Sequence, residues 1–345
     1  MMLSVKKSVC RRACAGERVS QSVRNVCLER VSHSSSFKAM LKKLVLAAVP
    51  EQVNIPILLC QERGIFAKHG LEVVHRVVPE GTGKMLDMLE SGEVDVALTV
   101  TDGFVAGKAA GRRVSLAGTF VESPLIWAVA ASARSSSSSS SSSAVSMSDL
   151  ASLPKCRFGI SRLGSGSHTM GIYTGKHVFP PPLFTQPPRL LEFVVANNFQ
   201  QLRDGAHADL FDVFMWETFT TKPFFDSGEL KKLGEVVTPW PAFSFVTASG
   251  CTDAAQEDIK QRLFPALAEG VALFVGRERR DAMIERICQD HGHKEQDARL
   301  WMDSCRYAVH EGIAPMAVNR DVMARAVDIL KEAALVPADF VAQDL

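Results

Sequence analysis

KLVLAAVPEQVNIPILLCQERGIF (43–66) opens with a short apolar run, breaks at Pro50, and resumes as a helix-like stretch. An apolar run bounded by a turn and followed by a helix begins an α/β unit. It continues through LEVVHRVVPEGTGKMLDMLESGEVDVALTVTDG (71–103) and closes with SPLIWAVAAS (123–132). The same succession returns about 113 residues later in KCRFGISRLGSGSHTMGIYTGKHVF (155–179), LLEFVVANNFQQLRDGAHADLFDVFMWE (190–217) and WPAFSFVTASG (240–250). Leu89, Gly92 and Asp95 fall against Leu202, Gly205 and Asp209 with one residue inserted, and Pro124 and Ser132 against Pro241 and Ser249. A duplicated α/β unit implies two lobes.

Within the first copy, LEVVHRVV is a strand, PEGTG turns it into the helix KMLDMLESG, and VDVALTV is an apolar strand ending at Thr101 and Asp102. Strands separated by helices predict a largely parallel sheet. Ligands of such sheets collect at the carboxyl ends of the strands, which carry Gln52, Asn54, Gly81, Thr82, Thr101 and Asp102. The nine serines 135–143 have too little apolar area to order themselves. They read as a solvated loop, 134–146, just after the closing strand of the first lobe. The expected division is lobe 1 from 43–128 and 243–345, with lobe 2, 129–242, inserted into it, so that the chain crosses twice. From Asp253 onward the pattern is helical in four stretches, 253–275, 277–292, 295–310 and 319–335, with Asp253 and Asn319 as N-caps and Pro337 as a stop. These helices are expected on the outside of lobe 1, without chemistry of their own.

Net charge conceals an asymmetry. Residues 1–43 hold ten Lys or Arg against Glu17 and Glu29, a surplus of +8, which leaves −7 on the remainder of a chain whose total is +1. A mildly acidic body is not built for nucleic acid or another polyphosphate. The head, 1–42, is basic, Ser-rich and almost free of acids, and lacks the apolar core of a secretory signal. It reads as a transit peptide for the mitochondrion, with a plastid address or a disordered cytoplasmic tail as alternatives. No apolar run approaches the roughly 20 residues that span a bilayer, so an integral membrane segment is not expected. The eight cysteines form no CxxC pair, which fits a reducing compartment, and Cys60 and Cys305 read as small apolar residues within helices.

RLGSGSHTM (162–170) follows the strand CRFGI and opens a helix. Ser165, Ser167 and Thr169 offer hydroxyls, Gly166 allows close approach, His168 stands beside them, and the helix start presents free N–H groups, together a cradle for a small anion or polar headgroup. An ordinary Ser-capped helix start has the same sequence. The loop is neither a Walker motif nor a GxGxxG, because the Lys of the first and the third Gly of the second are absent. Lys84 in PEGTGKM reads as a solvated helix-face residue. In the second copy Trp216 can stack on a ligand and Glu217 can accept N–H groups, and Trp240 is a further wall candidate. His168 has no orienting acid, and HGH (291–293) has no neighbouring ligands in metal spacing, so no catalytic or metal site is assigned.

The PEQVNIP loop, the GEVDVALTVTDG strand, the SDLASLPKCRFGISRLGSGSHTM stretch and DVMARAVDILKEAAL together resemble the type 2 periplasmic-binding-protein superfamily over about residues 43–338. The chain looks most like nitrate, sulfonate and taurine substrate-binding proteins and the eukaryotic branch that includes thiamine pyrimidine precursor synthases, and within that branch is similar to a fungal-type group. The resemblance implies a two-lobed α/β fold with C-terminal helices and a small ligand clamped between the lobes. The cleft positions it implies are Gln52, Asn54, Gly81, Thr82, Thr101, Asp102, Ser165 to Thr169, Trp216 and Glu217. The synthases' cysteine-rich iron motif is missing, so no cofactor is expected and a binding protein is favoured. An enzyme of thiamine-pyrimidine or other cofactor-precursor metabolism is the alternative. The expected partner is a small polar or anionic metabolite. Delivery to a membrane transporter is doubtful, because the chain shows no secretory or lipoprotein signal.

Overall fold

The computed structural model describes residues 41–133, 146–153, 155–178 and 190–345; residues 1–40 and the nine-serine run lie outside them. The first lobe begins with β1 (Lys42–Ala48), α1 (Ile55–Glu62), β2 (Leu71–Val77), α2 (Thr82–Glu90), β3 (Val96–Val100), α3 (Thr101–Ala109) and β4 (Val114–Val121). The chain then crosses to β5 (Ile126–Ser132), β6 (Lys155–Ile160), α4 (Gly166–Tyr173), β7 (Leu190–Val195), α5 (Phe199–His207), β8 (Val213–Glu217), α6 (Thr218–Asp226) and β9 (Leu230–Val237). It returns in β10 (Phe243–Ala248) and ends in helices: α7 (Asp253–Asp258), which runs through a π turn into α8 (Phe264–Val275), then α9 (Arg280–His291), α10 (Glu295–Ser304) and α11 (Arg320–Glu332). Among the described residues no helix is long and apolar enough to cross a membrane.

The strands form two five-stranded mixed sheets of matching order, β2-β1-β3-β10-β4 and β7-β6-β8-β5-β9. In each, three strands run parallel and the fourth is antiparallel to both of its neighbours. The fourth strands are exchanged. The strand Ile126–Ser132, expected to close the first copy, pairs with β8 and β9 in the second sheet, while Phe243–Ala248 completes the first. The chain therefore crosses at 122–125, ahead of β5, and not after residue 128. IWAVAAS is buried along most of its length and suits the middle of either sheet, so its own pattern does not choose between them. The two crossings lie side by side: Leu125 N–H donates to Thr238 Oγ1 (3.0 Å), Thr238 N–H to Leu125 O (3.0 Å), and Ala242 N–H to Ser123 O (3.1 Å).

The duplication, faint in sequence, keeps one constant offset through the middle of each unit. α2 and α5, β3 and β8, and α3 and α6 are each offset by 117 residues. Asp95 and Asp212, one residue ahead of β3 and β8, play the same part. Each carboxylate accepts the backbone N–H of the adjacent strand, from Val45 and Arg157 respectively, at 2.7 Å. Gly92 therefore corresponds to Asp209 and not to Gly205: both adopt the left-handed conformation after their helices, with φ of 73° and 56°.

Helices α8 to α10 pack on the first sheet through Phe264, Phe274 and Trp301. A second cluster joins Leu86 and Phe104 of the first lobe, Met323 and Val327 of α11, and Phe158 and Met170 of the second lobe. Thr252, rather than Asp253, caps α7, and Asn319 caps α11 as expected. The helix read over 295–310 stops at Ser304. Beyond it the chain is extended and pairs with the open edge of β4, through a Tyr307–Val121 bridge and the Ala308 N–H to Phe120 O bond (2.9 Å).

Candidate ligand site between the lobes

Helices follow β3 and β8 without a loop, so the strand ends and helix starts lie at the seam between lobes. In the first lobe Thr101 places its hydroxyl 2.8 Å from Ser244 Oγ. Asp102 sits in the first turn of α3 and is only 3% exposed, and its Oδ2 has no hydrogen-bond partner among the described residues. Burial pushes its carboxyl up to about 6, although its own N–H and that of Gly103 hold it down. Thr82 Oγ1 accepts the Val100 N–H (3.2 Å), tying the start of α2 to the end of β3. Asn54 donates to Val49 O within the turn after β1, leaving its buried Oδ1 without a partner among the described residues.

In the second lobe the hydroxyls of the RLGSGSHTM loop knit the loop itself. Ser165 caps α4 by accepting the His168 N–H (3.3 Å) and donates to Arg162 O (2.7 Å), while Ser167 Oγ accepts the Ser161 N–H (2.9 Å). His168 Nδ1 accepts the Gly164 N–H (3.0 Å), its ring stands edge-on to Phe193, and burial lowers its pKa. Thr169 is fully buried, and its hydroxyl has no partner among the described residues. The two glycine-bearing loops do face each other. A Cβ on Gly166 would lie 3.6 Å from Val100 of the first lobe and 3.0 Å from the Trp127 ring of its own lobe. The Arg162 guanidinium reaches within 3.6 Å of the Cβ position of Gly81 and 3.4 Å of that of Gly83. Sequence reasoning passed over Arg162 and Trp127.

A cavity remains open at the hinge, with about 430 Å³ of space unoccupied by atoms, part of it open solvent. Glu51 and Gln52 line it from the turn after β1, Ser123 from the first crossing, Glu217 from the end of β8, and Trp301 and Cys305 from the C-terminal region. Of the residues expected from sequence, only Gln52 and Glu217 belong to this lining. Glu217 caps α6, accepting from Phe219 N (3.0 Å), Thr220 N (2.6 Å) and Thr220 Oγ1 (2.8 Å). Burial raises its pKa and these donors oppose the rise. The Glu51 carboxylate has neither hydrogen bond nor ion pair among the described residues; burial, reinforced by the Glu217 charge, pushes it up to about 8. Burial pushes the Cys305 thiol up to about 12, the opposite of what a nucleophile requires. Trp216 stacks on Phe199 (5.2 Å between rings) and Trp240 meets Tyr173 edge-on (5.6 Å), and neither lines the cavity. Glu51 was legible as a charge at a strand end, next to Gln52. Cys305 was hidden by its assignment to a helix.

The family model described as Ca3427-like periplasmic binding protein matches residues 127–236, which run from β5 to β9, and the NMT1/THI5-like model matches residues 52–140. The solved structure of the CA3427 gene product of Candida albicans, which defines a family with the generic periplasmic binding protein fold, is similar at a TM-score of 0.75 and 29% identity, over 87% of this chain and 92% of that one. The alkanesulfonate-binding protein SsuA of Xanthomonas axonopodis pv. citri, bound to MOPS, is similar at a TM-score of 0.63 and 12% identity, over 87% and 96%. The nitrate-binding protein NrtA of Synechocystis PCC 6803 is similar at 0.57 and 12%, over 87% and 83%. No curated protein matches the chain significantly. Two mixed sheets with exchanged fourth strands, a double crossing and these similarities together show that the chain has the two-lobed periplasmic-binding-protein fold.

Proposed function

We propose that the chain is a small-molecule binding protein whose lobes close on a polar metabolite at this seam. The observation that carries the proposal is a set of buried polar atoms without partners among the described residues: Asp102 Oδ2, Trp127 Nε1, Thr169 Oγ1 and Thr218 Oγ1. They come from the strand ends and helix starts of both lobes, where a ligand of an α/β sheet binds, and a buried polar atom left unpaired costs about 1–3 kcal/mol. A clamped ligand offsets that cost. The sulfonate and nitrate binding of the structural neighbours supports a small-molecule role. Native mass spectrometry of the purified protein, expected to show a retained small molecule, tests it, with Thr169→Val as the control. That variant removes an unpaired hydroxyl, so it should melt at or above the parent temperature while losing affinity for the retained molecule. A protein that holds no small molecule, and does not become more compact in solution scattering with a panel of polar metabolites, overturns the proposal.

A further inference from the structure

We infer that the ligand carries a positive charge, an organic ammonium or amidinium group seated in the hinge cavity between Glu51 and Glu217. This rests on the small-molecule reading above and places the charged group in the hinge cavity, which none of the four residues with unpaired atoms named there lines. Among the described residues Glu51 and Glu217 are the only acidic side chains lining the cavity, and no Lys, Arg or His stands among its walls. Arg306, next in the chain to the lining residue Cys305, is turned to Glu122 instead (3.7 Å). Glu217 is held by three donors of its own helix, which favour its charged form. Glu51 is half-buried and has no counter-charge among the described residues, and a carboxylate crowded beside a second carboxylate either keeps its proton or acquires a cation.

A separate feature points to an occupant. The Gln52 side chain lines the same cavity, is 3% exposed, and has no hydrogen-bond partner among the described residues. Its amide offers one acceptor and two donors to whatever enters. Trp301, Phe219 and Phe243 add aromatic walls, which suit an organic cation through the ring quadrupole. A bare metal ion fits less well, since no group of three His, Cys, Asp or Glu among the described residues is arranged to hold one. A nitrate or sulfonate in this cavity would meet two carboxyl groups and no cationic side chain among the described residues.

The test is calorimetric titration and thermal melting at pH 7 with four sets of probes: putrescine and choline, ethanesulfonate and nitrate, zinc chloride, and calcium chloride. Putrescine or choline is expected to bind and raise the melting temperature, with proton release as Glu51 ionises beside the cation. Glu51→Gln should weaken that binding roughly tenfold or more, the usual effect of losing a charge-assisted hydrogen bond, while melting at or above the parent. Binding of the anions alone, insensitive to Glu51→Gln, overturns the charge inference and leaves the small-molecule reading standing. Binding of zinc or calcium alone, abolished by Glu51→Gln, overturns it in favour of a metal. Binding of none of the probes by a protein that also retains no molecule in native mass spectrometry removes both.

Discussion

At the same place in the two lobes, the end of the third parallel strand, the first lobe has Val100 and the second has Glu217, 117 residues apart. Val100 packs across the seam on Gly166, whereas Glu217 caps a helix and lines one wall of the hinge cavity. At the opposite end of the same two strands the lobes agree: Asp95 and Asp212 each clasp the neighbouring strand through the same backbone bond. The duplicated scaffold is held by short, local hydrogen bonds that tolerate little change. At the strand ends only the backbone is committed to the sheet, through Val100 opposite Phe243 and Glu217 opposite Trp127, so there the two copies can diverge in side-chain chemistry.

The strongest way to break this comparison is at the shared clasp. Asp212 also holds the Arg157 guanidinium (2.7 Å) and is well buried, while Asp95 makes only the backbone bond among the described residues. Asp212→Ala should therefore cost about 2–3 kcal/mol and Asp95→Ala about 1 kcal/mol. Equal losses in chemical denaturation would mean that the clasps are not equivalent units with one added ion pair.

A smaller effect is expected at the diverged position. Glu217→Ala removes a helix cap, for a loss of about 1–2 kcal/mol, and Glu217→Gln, which retains one acceptor oxygen, should lose less. Thermal melting of the two variants ranks them. No loss in either would show that the carboxylate is not engaged by α6 in solution.

The smallest effect is a pH dependence at Glu51. Its folded carboxyl, near 8, lies above the ordinary value of 4.5, so the folded protein holds a proton that the unfolded chain releases. The resulting stability is complete below about 4.5 and is lost as pH rises through about 8. Glu51→Gln should match the parent least favourably near pH 5 and gain on it by about 2–4 °C by pH 9, corresponding to roughly 1 kcal/mol. A melting difference that stays flat over this range would place Glu51 in water.

Much of this architecture was readable from local pattern. The apolar runs, the Gly-bearing turns and the helix start at Ser165 appear where the residues indicate, because each depends on neighbours within a few positions. The candidate site was only half legible. Gln52 and Glu217 were found because polar groups at strand ends stand out, but the Ser165–Thr169 hydroxyls turn largely on their own loop, and Trp216 and Trp240 on other aromatic rings. Ser123, Trp301 and Cys305 come from segments far apart in the chain, and nothing in their local sequence brings them to one cavity.

Periodicity and turn chemistry settle that this chain makes two α/β units, because burying an apolar face against water is decided within each segment. Which sheet receives IWAVAAS, where the third helical stretch yields to the edge of β4, and which residues meet at the hinge were decided only in three dimensions. Strands that are apolar on both faces are interchangeable by pattern. Their partners are chosen by the free energy of the whole packed assembly, to which residues more than 100 positions apart contribute as strongly as neighbours.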